Sequence, residues 1–360
     1  MIYIGVDLHK TQFTVCIRNN GREDFAKYST TPAGYEAFTA RLLAFNDTIS
    51  IGVESTGNTR YFKNRMEETG AEVIAINTLK FKVVNESVKK TDKHDAATIA
   101  EFLEKDMLPE SWLCSQASEE LRRLLNARTT LVRSRVVIKN QIHAMLVSLG
   151  MEDKKASLQS KRGRQHVLDA LHDSPVGAHG LVAQSLCDTI DQLDESVKRI
   201  EDELERLTEG DRVVELLQTI PGCGRIGAWT IRAYTDDIGR FATSKKYASY
   251  AGMAPWVQNS NETVRHGRIT KRGPQELRTA FVQVVLGMRR AKKLTAELRL
   301  MERYERMKPH KGSGKTIIAT ARKVAVIVWH MLTEDEPFDM DLMTDKKLKL
   351  TAEQMNSAAS

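Results

Sequence analysis

Ile2, Ile4 and Val6 alternate with smaller or more polar residues, and Phe13, Val15 and Ile17 do the same a few positions later. A period of two is the mark of a strand whose two faces meet different surroundings. Asn19-Asn20-Gly21 lies between the second run and a third, DFAKYS, and Asn-Gly tolerates the positive φ of a tight hairpin turn. Thr31-Pro32 then opens a helix to about Phe45, with proline in the first turn. A strand TISIGVE, a helix after Gly57, a strand AEVIAIN and a helix carrying TDKHDAATIA complete the pattern. Three antiparallel strands followed by αβαβα units is the strand order of an RNase H-type mixed sheet.

The apolar spacing then changes from two to three and four. Leu121, Leu124, Leu131, Ile138, Ile142, Met145 and Leu149 form a coiled-coil seam, interrupted by Arg128 and Arg135. A second seam runs through Ile190, Leu193, Val197, Ile200, Leu204 and Leu207. Either the two pack on each other as a hairpin, or they pair two chains. The basic stretch KKASLQSKRGRQH between them reads as a loop, solvated or touching nucleic acid. From Asp211 to about Thr333 the chain reads as short helices around a Gly-rich loop, and a polar tail follows. The predicted divisions are 1–113, 114–210, 211–333 and 334–360: an α/β domain, a long helical linker, a mainly α domain and a loose tail.

Composition adds direction. The net charge of +7 in 360 residues leans towards a polyanionic partner. Four scattered cysteines with no CxxC pair read as buried thiols, with no disulfide frame or zinc site. The N-terminal strand pattern lacks the features of a signal peptide, and no apolar run approaches membrane-spanning length. A soluble cytoplasmic protein is the expectation.

Acids on strand ends carry the chemistry. Asp7 and Glu54 stand where two apolar strands run out, although acids are poor strand residues. Asp92 and Asp95 are spaced to share one helix face, and they also suit the dipole of a helix start. If the four converge, they form an oxygen-rich pocket suited to Mg²⁺ and phosphate chemistry. Further on, Ile220-Pro221-Gly222-Cys223-Gly224 is similar to a helix-hairpin-helix turn. There Gly222 and Gly224 would let backbone N–H groups approach a DNA phosphate, unless the turn simply joins two helices. Ser260 falls in a polar loop with no local triad, although His266 is near in sequence, and it is followed by Arg265, Arg268, Lys271 and Arg272, which are candidate phosphate contacts. KGSGKT misses a P-loop because Pro309 replaces the first glycine. It reads as a basic loop before an apolar helix over Thr316–Met331.

These motifs together resemble the DEDD transposases of the insertion-sequence "one-ten" family, known as bridge-RNA-guided recombinases. GVDLHK, VESTGNT and KTDKHDAATIA resemble their RuvC-like domain. IPGCGRIGAWT, IGRFATSKKYASYAGMAP, the Ser260 loop, ITKRGPQELR and ATARKVAVIVWHML resemble their transposase domain. The resemblance implies that Asp7, Glu54, Asp92 and Asp95 are the Mg²⁺-binding DEDD acids. It implies that Ser260 is a nucleophile forming a covalent phosphoserine link to DNA. It also implies donor and target DNA and a structured non-coding bridge RNA as partners. The implied assembly is a homo-oligomer, dimers forming a tetramer, in which domains of different protomers share a site. The implied location is the cytoplasm, on the nucleoid of a bacterium or archaeon. The family has Ser-Gly where this chain has Ser260-Asn261, and asparagine also tolerates left-handed backbone. Two rival expectations are a RuvC-like nuclease using metal-activated water, and a non-enzymatic nucleic-acid-binding protein.

Overall fold

In the computed structural model, β1 (Ile2–Leu8) pairs antiparallel with β2 (Gln12–Asn19), which pairs antiparallel with β3 (Arg22–Ser29). Asn20 and Gly21 take φ of 49° and 76° at the β2–β3 turn. On its other side β1 runs parallel to β4 (Ile49–Glu54), and β4 runs parallel to β5 (Glu72–Ile76). The sheet order is therefore β3-β2-β1-β4-β5. The structure describes residues 1–78, 80–81, 91–151, 158–172, 177–260 and 263–344. They fall into two units, Met1–Cys114 and Ser115–Ser360.

The period-two pattern gives the first unit its layers. Ile2, Ile4, Val6, Phe13, Val15 and Ile17 face helices Pro32–Leu43 and Thr59–Glu67, burying Phe38, Phe62 and Met66. The opposite face is covered by helix Asp92–Glu104. Gly5 and Gly52 are register partners on β1 and β4, and both lie under that helix. A Cβ on Gly5 would stand 2.0 Å from the Ala96 carbonyl oxygen. The missing side chains bring the helix backbone down onto the sheet, close to where the strands end.

In the second unit, helices Gln116–Ser148 and Gly177–Leu207 pack as an antiparallel hairpin. The two seam arginines are neutralised across it. Arg128 donates to Glu201 at 2.6 Å, and Arg135 pairs with Asp194. Leu121 and Leu125 join the main core, whereas Ile142, Leu146, Ala183, Cys187 and Ile190 form a separate cluster. The basic stretch expected to be a loop lies outside the described residues at 154–157, and from Lys161 it is helix, running to His172. Its Arg164 side chain is buried against Asp191 and donates to the Leu158 carbonyl at 3.1 Å. A buried arginine needs such partners, and they order the segment.

Helices Arg212–Gln218, Arg225–Thr235 and Ser244–Tyr250 follow, then a hairpin of β6 (Pro255–Ser260) and β7 (Thr263–Ile269). This hairpin was not expected. Helices Gln275–Arg290, Lys292–Thr295 and Arg299–Glu334 enclose a core containing Trp229, Tyr247, Phe281, Val284, Val324 and Val328. The last helix carries Pro309 and is broken at Gly312 (φ 73°). So a break, with helix on both sides, stands where a basic loop was expected.

Against the sequence expectation, this helix is long and apolar enough to cross a membrane by length and composition. Its apolar residues Ala321, Val324, Ala325 and Val328 are instead buried in the unit's core. The polar tail is also more ordered at its start than expected. Phe338 is buried, its N–H donates to Thr219 Oγ1 at 2.8 Å, and Met340–Thr344 is helical. The four cysteines are free and buried.

Candidate functional site

Strand register assembles one row at the sheet's end. Asp7 on β1 pairs with Thr14 on β2, and Thr14 pairs with Lys27 on β3. Cross-strand partners point to the same face, and here it is the face under helix Asp92–Glu104. Glu54 ends β4 one position beyond the pair Val6–Val53. Thr91 caps the helix by accepting from the His94 N–H at 3.3 Å, which places Asp92 and Asp95 in its first turn. The loops are tied together as well. Thr59 Oγ1 donates to the Glu54 carbonyl at 2.7 Å, and Asn58 donates from its side chain to the His9 carbonyl at 3.2 Å.

Asp7, His9 and Asp92 meet. His9 Nε2 lies 3.0 Å from Asp7 Oδ2 and 3.7 Å from Asp92 Oδ1. One ligand atom from each of the three lies within 4.8 Å of the others. Lys27 Nζ stands 3.5 Å from Asp92 Oδ2. Burial pushes the Asp7 carboxyl above its ordinary value; His9 pulls it down, and the charges of Asp92 and Asp95 push it up. A divalent cation would relieve that crowding of negative charge, and oxygen ligands with one imidazole suit such an ion. The residues therefore fit a metal. The sequence reading missed His9, Thr14 and Lys27. His9 is two positions from Asp7, and Lys27 follows from counting pairs outwards from the Asn20-Gly21 turn.

The second unit places the remaining candidates. Ser260 does not sit in a loop; it ends β6, paired in register with Thr263. Asn261 lies outside the described residues. Arg265 pairs with Gln258 along the hairpin, and Arg268 is exposed near the end of β7. Lys271 and Arg272 are exposed on anchored backbone. The Thr270 N–H donates to the Ala254 carbonyl at 2.9 Å, and the Lys271 N–H donates to Gly252 at 3.1 Å. A Cβ on Gly273 (φ 122°) would be 1.8 Å from the Tyr250 carbonyl oxygen. Lys271 and Arg272 therefore project from a fixed turn.

The two glycines of the PGCG turn differ. Gly222 has φ 84°, and a Cβ there would lie 2.4 Å from the Met288 nitrogen. Its freedom serves a backbone-to-backbone contact with Gly287. Gly224 has open space around it and precedes helix Arg225–Thr235 with no side-chain cap. Burial pushes the Cys223 thiol to about 12, so it is not a reactive thiolate. A groove of about 1140 Å³ runs beside this turn. Two of its cations are paired, Arg128 with Glu201 and Arg225 with Glu205, the latter at 2.7 Å, whereas Arg133, Lys198 and Arg290 line it with no carboxylate partner among the described residues.

Comparison with known proteins covers both units. A family model for DEDD transposases of the IS110 group, described as "Transposase", matches residues 4–151. A second, described as "Transposase IS116/IS110/IS902 family", matches residues 214–300. The chain is 24% identical over 339 residues to the "Transposase for insertion sequence element IS1111A" of Coxiella burnetii, covering 93% of this chain and 90% of that one. It is 25% identical over 350 residues to the "Pilin gene-inverting protein" of Moraxella bovis, covering 94% and 97%. A "Probable family 20 transposase" of Pseudomonas aeruginosa is 24% identical over 290 residues, covering 79% and 84%.

Proposed function

The chain belongs to the IS110 family of transposases, enzymes of DNA recombination, and from that premise we propose that it moves its own insertion sequence through a serine–phosphate intermediate. The observation that carries this reading is the gathering of Asp7, His9 and Asp92 at the end of the sheet. We take the β3-β2-β1-β4-β5 sheet as an RNase H/RuvC-like domain. Asp7, Glu54, Asp92 and Asp95 are its Mg²⁺ acids, with His9 beside them. A bound Mg²⁺ supplies positive charge against a phosphate that becomes more negative in the transition state.

The protein's own groups do the rest. Ser260 Oγ bonds to phosphorus and gives up its proton. The bond from phosphorus to the departing sugar oxygen breaks, and that oxygen takes a proton. Arg265, Arg268, Lys271 and Arg272 hold phosphate oxygens. Gly224 offers backbone N–H groups to a second phosphate without reading sequence, while Gly222 keeps its turn in place. A bridge RNA pairing with donor and target DNA, and dimers assembling into a tetramer, belong to the same reading. So does a bacterial cytoplasmic location on the nucleoid.

The test is incubation with cognate DNA, RNA and Mg²⁺, followed by denaturing electrophoresis for a protein–DNA adduct. Wild type gives the adduct, Ser260→Ala gives none, and Asp7→Ala gives no strand cleavage. Strand cleavage by Ser260→Ala would instead mean attack by water. Salt-sensitive binding without any cleavage would leave only a nucleic-acid-binding protein.

A further inference from the structure

Of the 54 Lys and Arg residues, ten lie between positions 289 and 315, against three of the 47 Asp and Glu residues. The excess of seven in this span equals the +7 of the whole chain. All other residues together are neutral. This span alone matches the excess of the whole chain.

This span is not a loose charged run. Leu298, Leu300, Met301 and Tyr304 are buried in the unit's core, and Thr295 Oγ1 donates to the Met288 carbonyl at 2.8 Å. The side facing solvent carries Arg290, Lys292 and Lys293, then Arg303 and Arg306 on one helix face. Lys311 and Lys315 flank the break at Gly312, where positions 309–315 are all exposed. None of these seven cations has an ion-pair partner among the described residues. Elsewhere in the same unit Arg128, Arg135 and Arg164 each face a carboxylate. Unpaired, exposed cations on ordered backbone anchored in the core are what a phosphate-tracking surface requires.

We propose that residues 289–315 form a sequence-blind docking surface for the phosphate backbone of duplex DNA, separate from the cations that follow Ser260. The choice of DNA rests on the transposase reading above. The contacts would fix where the duplex lies and contribute nothing to target choice.

The test uses full-length protein and a labelled duplex of random sequence, titrated by fluorescence anisotropy across a salt series. The variant combines Arg303→Gln, Arg306→Gln, Lys311→Gln and Lys315→Gln. A control variant removes four cations already paired with carboxylates: Arg65→Gln, Lys105→Gln, Arg123→Gln and Arg206→Gln. The slope of log affinity against log salt should fall by roughly 3 to 4 in the first variant, at about 0.9 per phosphate contact. At ~0.1 M salt its affinity should fall at least tenfold. The control should stay within about one unit of the wild-type slope.

Equal slope changes in the two variants would overturn the proposal, because net charge alone would explain both. A lost slope for single-stranded RNA with an unchanged slope for duplex DNA would overturn the choice of DNA. Thermal unfolding checks that the variants fold. If the fourfold variant does not, the pairs Arg303→Gln/Arg306→Gln and Lys311→Gln/Lys315→Gln should each lower the slope by roughly 2, half of the fourfold fall. Normal DNA cleavage with an unchanged slope removes this proposal and leaves the transposase reading. A lost slope in a protein that never cleaves DNA does the reverse.

Discussion

Asp7 is buried beside two other acids, and the consequence has a definite sign. Its folded-state carboxyl holds its proton more tightly than an exposed one, mainly through burial. The stability tied to this group is therefore fully present at acid pH and is lost as pH rises through the raised value. At neutral pH the ionised carboxylate weakens the metal-free fold. Asp7→Asn should raise the unfolding midpoint in EDTA at pH 7.5 by roughly 2–4 °C, and the gain should vanish near pH 4. Added Mg²⁺ should stabilise wild type and not the variant. Calorimetry with and without Mg²⁺ checks each part. The turn glycines make a second residue-scale contrast. Gly222→Ala forces a Cβ into the Met288 backbone at positive φ, so urea unfolding should show a loss of about 2–4 kcal/mol. Gly224→Ala meets nothing and should unfold like wild type while binding DNA more weakly. Similar unfolding curves for the two would sink the distinction. Sequence reasoning singled out the acids because an acid at a strand end is conspicuous. It joined the two glycines because a motif does not tell which glycine packs and which stays open. His9 escaped because a lone histidine has no signal until Asp92 arrives from a distant helix.

Elements follow the same division between local and distant causes. The first sheet was legible strand by strand, since alternation and the Asn-Gly turn are short-range signals, and the turn fixes the pairing of Thr14 with Lys27. The hairpin β6–β7 was not legible: TVRHGRI offers charge and glycine where a strand signal needs repeated apolar residues. The helix Lys161–His172 was missed because its order depends on partners from another helix. Arg164→Ala removes a buried side chain and leaves partly solvated Asp191 without its cation, while Asp194 keeps Arg135, and should destabilise the outer cluster by about 1–3 kcal/mol. Loss of helical signal at lower temperature, ahead of the main transition, is the measurement. Seam interruptions that looked like flaws have a use as well. Arg128 with Glu201 and Arg135 with Asp194 are pairs whose two members move apart in step, seven residues along each helix. A shifted alignment of the two helices breaks both pairs.

At the scale of the molecule, the two units take their order from different signals. The first is read from strands and turns, and the second from helical spacing. The tail shows where that reading ends: Phe338 is one apolar residue in polar surroundings, and only the fold reveals that Thr219 and the core receive it. Charge was legible only as a total. Its position matters more than its size. Exposed, unpaired cations gathered on one ordered span meet the field of a polyanion before any contact forms. With DNA docked there as proposed, association would be faster at low ionic strength and would slow as salt screens the field.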